Sequence, residues 1–289
     1  MRAESALPSS TPPRAIGIVA GAGPLPSELA GQLQRQGVAV FVVALEGFAD
    51  ERLLAPYPHC TVRLGAVGAL LAALRQHHCR DVVLIGPIKR PHWRAMRPDA
   101  TGALMLARLG KAIWGGDDHL LRAVVKLLEG EGFWVRGAHE FLASHVGDPG
   151  QQGRHSPDQQ AMADMRQAAR INRALAAEDI GQGCVVRKGQ VLAVEALEGT
   201  DAMLARCQGL VALAGGVEGE RAGLLYKSAK HGQDIRVDMP ALGPETIRGA
   251  AKAGLAGVGY EAGSTLLIAP DETSALADRL GLFLYGLQL

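Results

Sequence analysis

No stretch of this chain reaches the roughly 20 consecutive apolar residues of a membrane-spanning helix. The opening MRAESALPSSTPPR also lacks the apolar core of a secretory signal and reads as a disordered extension. Neither sign of charge prevails: 30 Lys and Arg stand against 29 Asp and Glu, a formal net charge of +1. No global field would draw the protein to nucleic acid, which is excluded as a partner. The four cysteines, Cys60, Cys79, Cys184 and Cys207, form no CxxC pair and no Cys/His group of zinc-ligand spacing, so reduced thiols in a cytoplasmic protein are expected. Aromatic residues make up only 4% of the chain, and Trp93, Trp114 and Trp134 are read as packing. The histidines form no HxxxH pattern or catalytic array.

What is present is aliphatic. Apolar residues reach 48%, mostly Ala, Leu and Val, and 37 glycines allow helices to pack closely on strands, which favours an α/β protein. At 289 residues the chain is long for one domain of about 100–200 residues, so two are expected. IGIVA at 16–20, a turn through GAGPLP, a helical pattern ending near Gly37 and VAVFVVAL from Val38 make a β-loop-α-β unit. TVRL at 61–64, a helix over about 66–77 and the buried-strand run DVVLI at 81–85 extend it, predicting a Rossmann-like parallel sheet over residues 15–143. The polar, Gly- and Pro-rich stretch 144–158 reads as the linker. A mixed α/β domain follows over 159–289: a helix from Gln159 to about Glu178, strands at CVVR and VLAVEAL, a helix from Thr200 or Asp201, GLLYKSAK, and a helix from Pro244. A β pair at GVGYE and TLLIA and a last helix from Asp271 complete it.

Several segments could carry chemistry. GAGPLP, comprising Gly21, Ala22, Gly23, Pro24, Leu25 and Pro26, has the strand-turn-helix context of a phosphate loop, but its two prolines remove donors, and a tight turn explains it too. GPIKRP follows a buried strand at the sheet edge where open α/β folds bind ligands, so Lys89 and Arg90, with Gly86, are candidates to meet phosphate, beside the reading of a plain basic turn. Asp117 and Asp118 suit a helix start and, alternatively, a hydrogen bond to sugar or base.

The densest polar segment is QDIRVDMP, Gln233–Pro240. Ile235, Val237 and Met239 alternate with Asp234, Arg236 and Asp238, so an extended conformation would face the apolar set to the core. Asp234 and Asp238 would then stand about 13 Å apart and could not share one metal ion unless the chain bends. Pro240 makes a bend plausible, and Gly243-Pro244 opens a helix whose first free amides fall at Glu245 and Thr246. A surface strand with a structural Asp-Arg pair is the alternative. Glu195, Glu198 and Asp201 lie in a second acidic stretch, with Glu198 the strongest further metal ligand and Thr200 a binding candidate.

Five segments, IGIVAGAGPLP, DVVLIGPIKRP, GGDDHLLRAV, VEALEGTDAML and YKSAKHGQDIRVDMPALGPETI, run in order over nearly the whole chain after residue 14. Together they resemble the LpxI-type UDP-2,3-diacylglucosamine pyrophosphatases of lipid A biosynthesis. The resemblance implies an N-terminal Rossmann-like substrate-binding domain, a C-terminal hydrolase domain, dependence on Mg²⁺, and release of UMP and 2,3-diacylglucosamine 1-phosphate. It places the catalytic acid in QDIRVDMP, so Asp234 and Asp238 inherit that role jointly. His231 and Ile235 depart from the family pattern but leave the acids untouched.

The resulting expectation is a Mg²⁺-dependent hydrolase in which Asp234 or Asp238, helped by Glu198, holds the metal while water attacks one phosphorus in line. Lys227 and Arg236 would stabilise phosphoryl charge, Gln233 belongs to the same loop, and the second acid would orient the water. The partner is a glycolipid nucleotide, with transient contact at the inner membrane surface; a homodimer is left open. The acyl chains need an apolar groove, for which Leu104, Met105, Leu109 and Trp114 serve as well as core packing does. A Rossmann-type oxidoreductase and a non-catalytic nucleotide-sugar sensor are the rival readings.

Overall fold

The computed structural model describes residues 15–88, 98–109, 117–213, 221–230 and 232–289. Lys89, Arg90, Trp93, Trp114 and His231 lie outside them, as do the side chains of Met105, Leu109, Asp117 and Asp118. Contacts divide the described chain into two units, one formed by residues up to 109 with 125–141, the other by 117–124 with 142–289.

In the first unit the apolar runs become strands β1 (Ala15–Ala20), β2 (Ala39–Leu45), β3 (His59–Val62), β4 (Asp81–Ile85) and β5 (Trp134–Arg136), ordered β3-β2-β1-β4-β5 and parallel throughout. Ile16, Ile18, Val42, Val43, Val82 and Val83 are fully buried, as strands covered on both faces require. Helix α1 (Leu25–Arg35) covers the sheet with Leu29, Ala30 and Leu33 at the helical spacing read from the sequence. The short α2 (Glu51–Leu54) and α3 (Val67–Gln76) fill the next crossovers, and α4 (Ala100–Leu109) and α5 (Asp117–Gly130) follow β4. Asp99, which sequence reasoning passed over, ties two of these helices: one carboxylate oxygen accepts the Gly102 N–H at 2.6 Å and the other the Ala69 N–H at 3.1 Å. The Gly102 bond leads in holding the Asp99 carboxyl below the usual range.

The second unit is a six-stranded mixed sheet in the order β6 (Gly150–Gln151), β13 (Phe283–Leu287), β11 (Gly257–Glu261), β9 (Leu224–Lys227), β7 (Gly183–Arg187), β8 (Gln190–Val194). β9, β11 and β13 are parallel, while β7, β8 and β6 run antiparallel to their neighbours. Period-two alternation sorts the side chains into two cores. Cys184, Val186, Leu224, Tyr226 and Phe283 pack on Met165 and Ala168 of α6 (Gln159–Ala176). Val185, Leu225, Val258 and Leu284 pack on α7 (Gly199–Leu213), α8 (Pro244–Lys252) and α9 (Pro270–Arg279), with Met203, Ile247 and Leu276 opposite them.

Two expectations change here. GVGYE and TLLIA do not pair with each other: GVGYE is β11 between β9 and β13, and Leu266–Leu267 form β12, paired with β10 (Ala241–Leu242). The closing FLYGL, which the last helix overshadowed in the sequence, is β13. Residues 144–158 are built onto this unit: the Gly147 N–H donates to Thr265 O at 2.8 Å, β6 joins β13, and Arg154 pairs with Asp278 at 3.2 Å. Asp164, 2% exposed, caps the β7–β8 turn by accepting the Lys188 N–H at 2.7 Å and the Gly189 N–H at 2.8 Å.

Candidate active site at the carboxyl edge of the C-terminal sheet

Strand β9 ends at Lys227, and alternation sends consecutive side chains to opposite faces of the sheet. Lys227, 6% exposed, turns toward α7, where its Nζ donates to the Thr200 hydroxyl at 2.9 Å and to Ala241 O at 3.1 Å. The Thr200 hydroxyl in turn donates a hydrogen bond to Glu195 Oε1 at 3.0 Å. Ser228 turns toward α6 and accepts a bond from Asn172 at 3.1 Å, while Asn172 also donates to Gln182 O. Gln182 in turn donates to Asp238 Oδ1 at 3.1 Å. Carboxyl ends of parallel strands are where open α/β sheets bind ligands, and this edge gathers most of the polar residues picked out in the C-terminal half.

QDIRVDMP is not extended. The Val237 and Asp238 N–H groups both donate to Asp234 O, at 3.0 and 3.1 Å, closing a turn over Ile235–Val237. Ile235 is therefore 40% exposed rather than core, because alternation holds only in a strand. The turn also removes the strand spacing that set the two aspartates about 13 Å apart. Asp234 binds Arg236 through both oxygens, with Nη2 at 2.7 Å from Oδ2 and Nε at 2.9 Å from Oδ1, and also accepts the Arg236 backbone N–H. The Arg236 side-chain bond is the first cause holding the Asp234 carboxyl below the usual range, and Arg122 adds to it. Arg122, unremarked in the sequence, donates to Gly232 O at the foot of this loop.

On the α6 side a cleft of about 210 Å³ opens past the strand ends, bordered by Arg173, Ser228, Lys230, Gln233, Ile235 and Glu261. Lys230 is held by Asp179 at 2.5 Å. Gln233 accepts the Lys230 N–H through Oε1 at 2.8 Å, while its Nε2 is a buried donor with no hydrogen-bond partner.

Other candidates are placed differently. Glu198 pairs with Arg206 at 3.0 Å, its own backbone N–H being the leading cause of its lowered pKa. Among the described residues no group of three or more His, Cys, Asp or Glu suited to a metal ion occurs. Mg²⁺, however, uses one or two carboxylates beside phosphate oxygens and waters. One carboxylate at this edge fits such a shared site, and an all-protein cage does not. Thr246 is 8% exposed, and its hydroxyl oxygen accepts the Gly243 N–H at 3.4 Å at the start of α8.

In the first unit, the GAGPLP and GPIK loops pack together: Gly21 N–H donates to Ile85 O and Ala22 N–H to Pro87 O. A Cβ on Gly21 would meet Gly86 O at 2.3 Å, so that glycine serves backbone approach within the fold. Gly23, with φ +83°, has nothing within 4 Å of such a Cβ. The first turn of α1 offers few donors, because Ser27 and Glu28 both donate to Pro24 O and Pro26 has none. Helix α5 starts at Asp117, and Lys89 lies outside the described residues.

Comparison with known proteins completes the assignment. Residues 15–145 match the family model described as the LpxI N-terminal domain, and residues 148–285 match the LpxI C-terminal domain. Over 273 residues the chain is 44% identical to a UDP-2,3-diacylglucosamine pyrophosphatase LpxI of Caulobacter vibrioides, spanning 94% of this chain and 97% of that protein. Among solved structures, the biotin carboxylase domain of the Hydrogenobacter thermophilus 2-oxoglutarate carboxylase overlaps 73% of this chain and 43% of its own, at 11% identity and a TM-score of 0.24. With both domain models matched in order and the relative aligned almost end to end, the chain belongs to the LpxI family.

Proposed function

We propose that this protein hydrolyses the pyrophosphate bond of UDP-2,3-diacylglucosamine, giving UMP and 2,3-diacylglucosamine 1-phosphate in lipid A biosynthesis. Family membership and the named relative support the substrate. The observation that carries the chemistry is a pair of buried donors at this sheet edge, Gln233 next to the Asp234–Asp238 turn and Lys227 at the end of β9. Gln233 Nε2 has no acceptor, and Lys227 Nζ, bonded to Thr200 and Ala241, has a third N–H to give. Donors left unspent in a buried setting suit the oxygens of a phosphoryl group, where they act more strongly than in water.

In this reading Lys227 and Gln233 bind phosphoryl oxygens, and Arg236, aligned by Asp234, takes charge on the same group. Asp238 orients the attacking water and takes its proton. The water oxygen bonds to one phosphorus as that atom's bond to the bridging oxygen breaks, and the bridging oxygen leaves on the other phosphate. Mg²⁺, held by Asp238 and by the substrate's own phosphates, would supply neutralising charge. No helix among the described residues is long and apolar enough to cross a membrane. A diacylated substrate therefore implies transient contact with a membrane surface.

The test is release of UMP from UDP-2,3-diacylglucosamine by the purified chain with Mg²⁺, its loss on chelation and its return when Mg²⁺ is restored. No UMP with Mg²⁺ present would end this reading; UMP release that survives chelation would remove the metal from it.

A further inference from the structure

Lys227 is a buried ammonium without a direct ion pair. At 6% exposure its Nζ meets the Thr200 hydroxyl and the Ala241 carbonyl, both neutral, and it has no carboxylate partner within 4 Å among the described residues. Burying an unpaired charge is costly, so its compensation should lie nearby. One hydroxyl further on is Glu195. Its Oε1 accepts the Thr200 proton at 3.0 Å, and its Oε2 is buried with no hydrogen-bond partner. Glu195 is itself fixed from both sides of the strand end: its N–H donates to Gly183 O at 2.8 Å, and side chains at Gly183 and Gly181 would collide with it, at 2.7 Å from Oε2 and 1.9 Å from its backbone oxygen.

We propose that Glu195 is a positioning residue for Lys227, acting through the Thr200 hydroxyl as a bridged ion pair that aims the third Lys227 N–H at the phosphoryl group. The hydroxyl suits this work because it can donate to the carboxylate and accept from the ammonium at once. Such chains polarise one another, so charge on Glu195 strengthens the bond Thr200 accepts from Lys227. Neither Glu195 nor Thr200 touches the reacting atoms. Thr200, expected from the sequence to bind substrate, has its hydroxyl spent inside the protein. The inference rests on the reading of Lys227 as a phosphoryl donor, so it is tested with and without turnover.

Three full-length variants, T200V, T200S and E195Q, are assayed for UMP release, thermal midpoint and Lys side-chain NMR. T200V keeps the shape and removes the bridge, so kcat should fall about tenfold to a hundredfold, the loss of one hydrogen bond to a charged group. KM should change less than about threefold, since a misaimed donor is felt most in the transition state. T200S should restore kcat to within about threefold, whereas E195Q, which keeps an acceptor but no charge, should fall between them. Independently of turnover, the wild type should give a slowly exchanging Nζ signal, assigned by its absence in K227M, that T200S keeps and T200V loses. Wild-type kcat in T200V and E195Q, or an Nζ signal unchanged in T200V, overturns the relay. An inactive wild type that shows the signal and its loss in T200V leaves the relay standing and removes the function proposed for the site.

Discussion

Asp234 grips Arg236 two residues along the chain, with Nη2 2.7 Å from Oδ2 and Nε 2.9 Å from Oδ1, inside the turn closed by the Asp234 carbonyl. The Arg236 guanidinium holds the Asp234 carboxyl below the usual carboxylate range. The folded pKa is thus the lower one, so the pair's contribution is complete above the unfolded value of about 4 and is lost as pH falls through the depressed folded value. The stability lost in D234N, measured by urea unfolding, should therefore be larger at pH 6 than at pH 3. An equal loss at both values would show that the charge of Asp234 contributes nothing to the fold.

Asp238 accepts an amide N–H from Gln182 at 3.1 Å. If it orients water, D238A should lower kcat by about a thousandfold, the scale of a general base together with part of a metal site. Substrate binding measured without Mg²⁺ should survive within about threefold. D234A, which removes the carboxylate that aligns Arg236, should cost about a hundredfold, the scale of one electrostatic donor. Single-turnover kinetics with equilibrium binding checks both. The reverse order would exchange the two roles.

Asp164 offers a change that should spare turnover. Its buried carboxylate caps the β7–β8 turn through the Lys188 and Gly189 N–H groups and also accepts from Gln160 at 2.9 Å. D164A would leave two backbone donors without an acceptor, a cost of about 3 kcal/mol or more. Urea unfolding at pH 7 should show that loss, with kcat unchanged below the melting transition. A loss under about 1 kcal/mol would mean that water satisfies both amides.

The first unit was legible because a parallel strand covered on both faces must be an apolar run, and IGIVA, VAVFVVAL and DVVLI are such runs. QDIRVDMP was ambiguous for a physical reason. Its alternation of charged and apolar residues is what a half-buried strand also shows, and the two Asp234 carbonyl bonds that bend it carry no periodic signal. FLYGL was hidden by its neighbour, since alternation over five residues is weak beside a ten-residue amphipathic helix. The bonds from Lys227 to Thr200 and from Thr200 to Glu195 span 27 and 5 residues, and spacing alone cannot find them. What the sequence did supply was the set of motifs; the strand ends decided which of them meet.

The two glycines of GAGPLP separate a packing role from a binding role. A Cβ on Gly21 would lie 2.3 Å from Gly86 O, a backbone atom that cannot turn aside, and Gly86 at φ +97° has its own Cβ position 2.6 Å from Ala22 O. G21A and G86A should each destabilise the protein by about 2 kcal/mol or more through forced backbone movement. Gly23 is left-handed at φ +83° with open space beside it, so G23A should cost only the left-handed penalty of about 1 kcal/mol. If this loop meets the substrate's phosphates, the new methyl group lies between backbone and ligand. G23A should then raise KM about tenfold while the melting temperature falls by only a few degrees. An unchanged KM in G23A would make the loop a turn that holds the sheet edge together and nothing more.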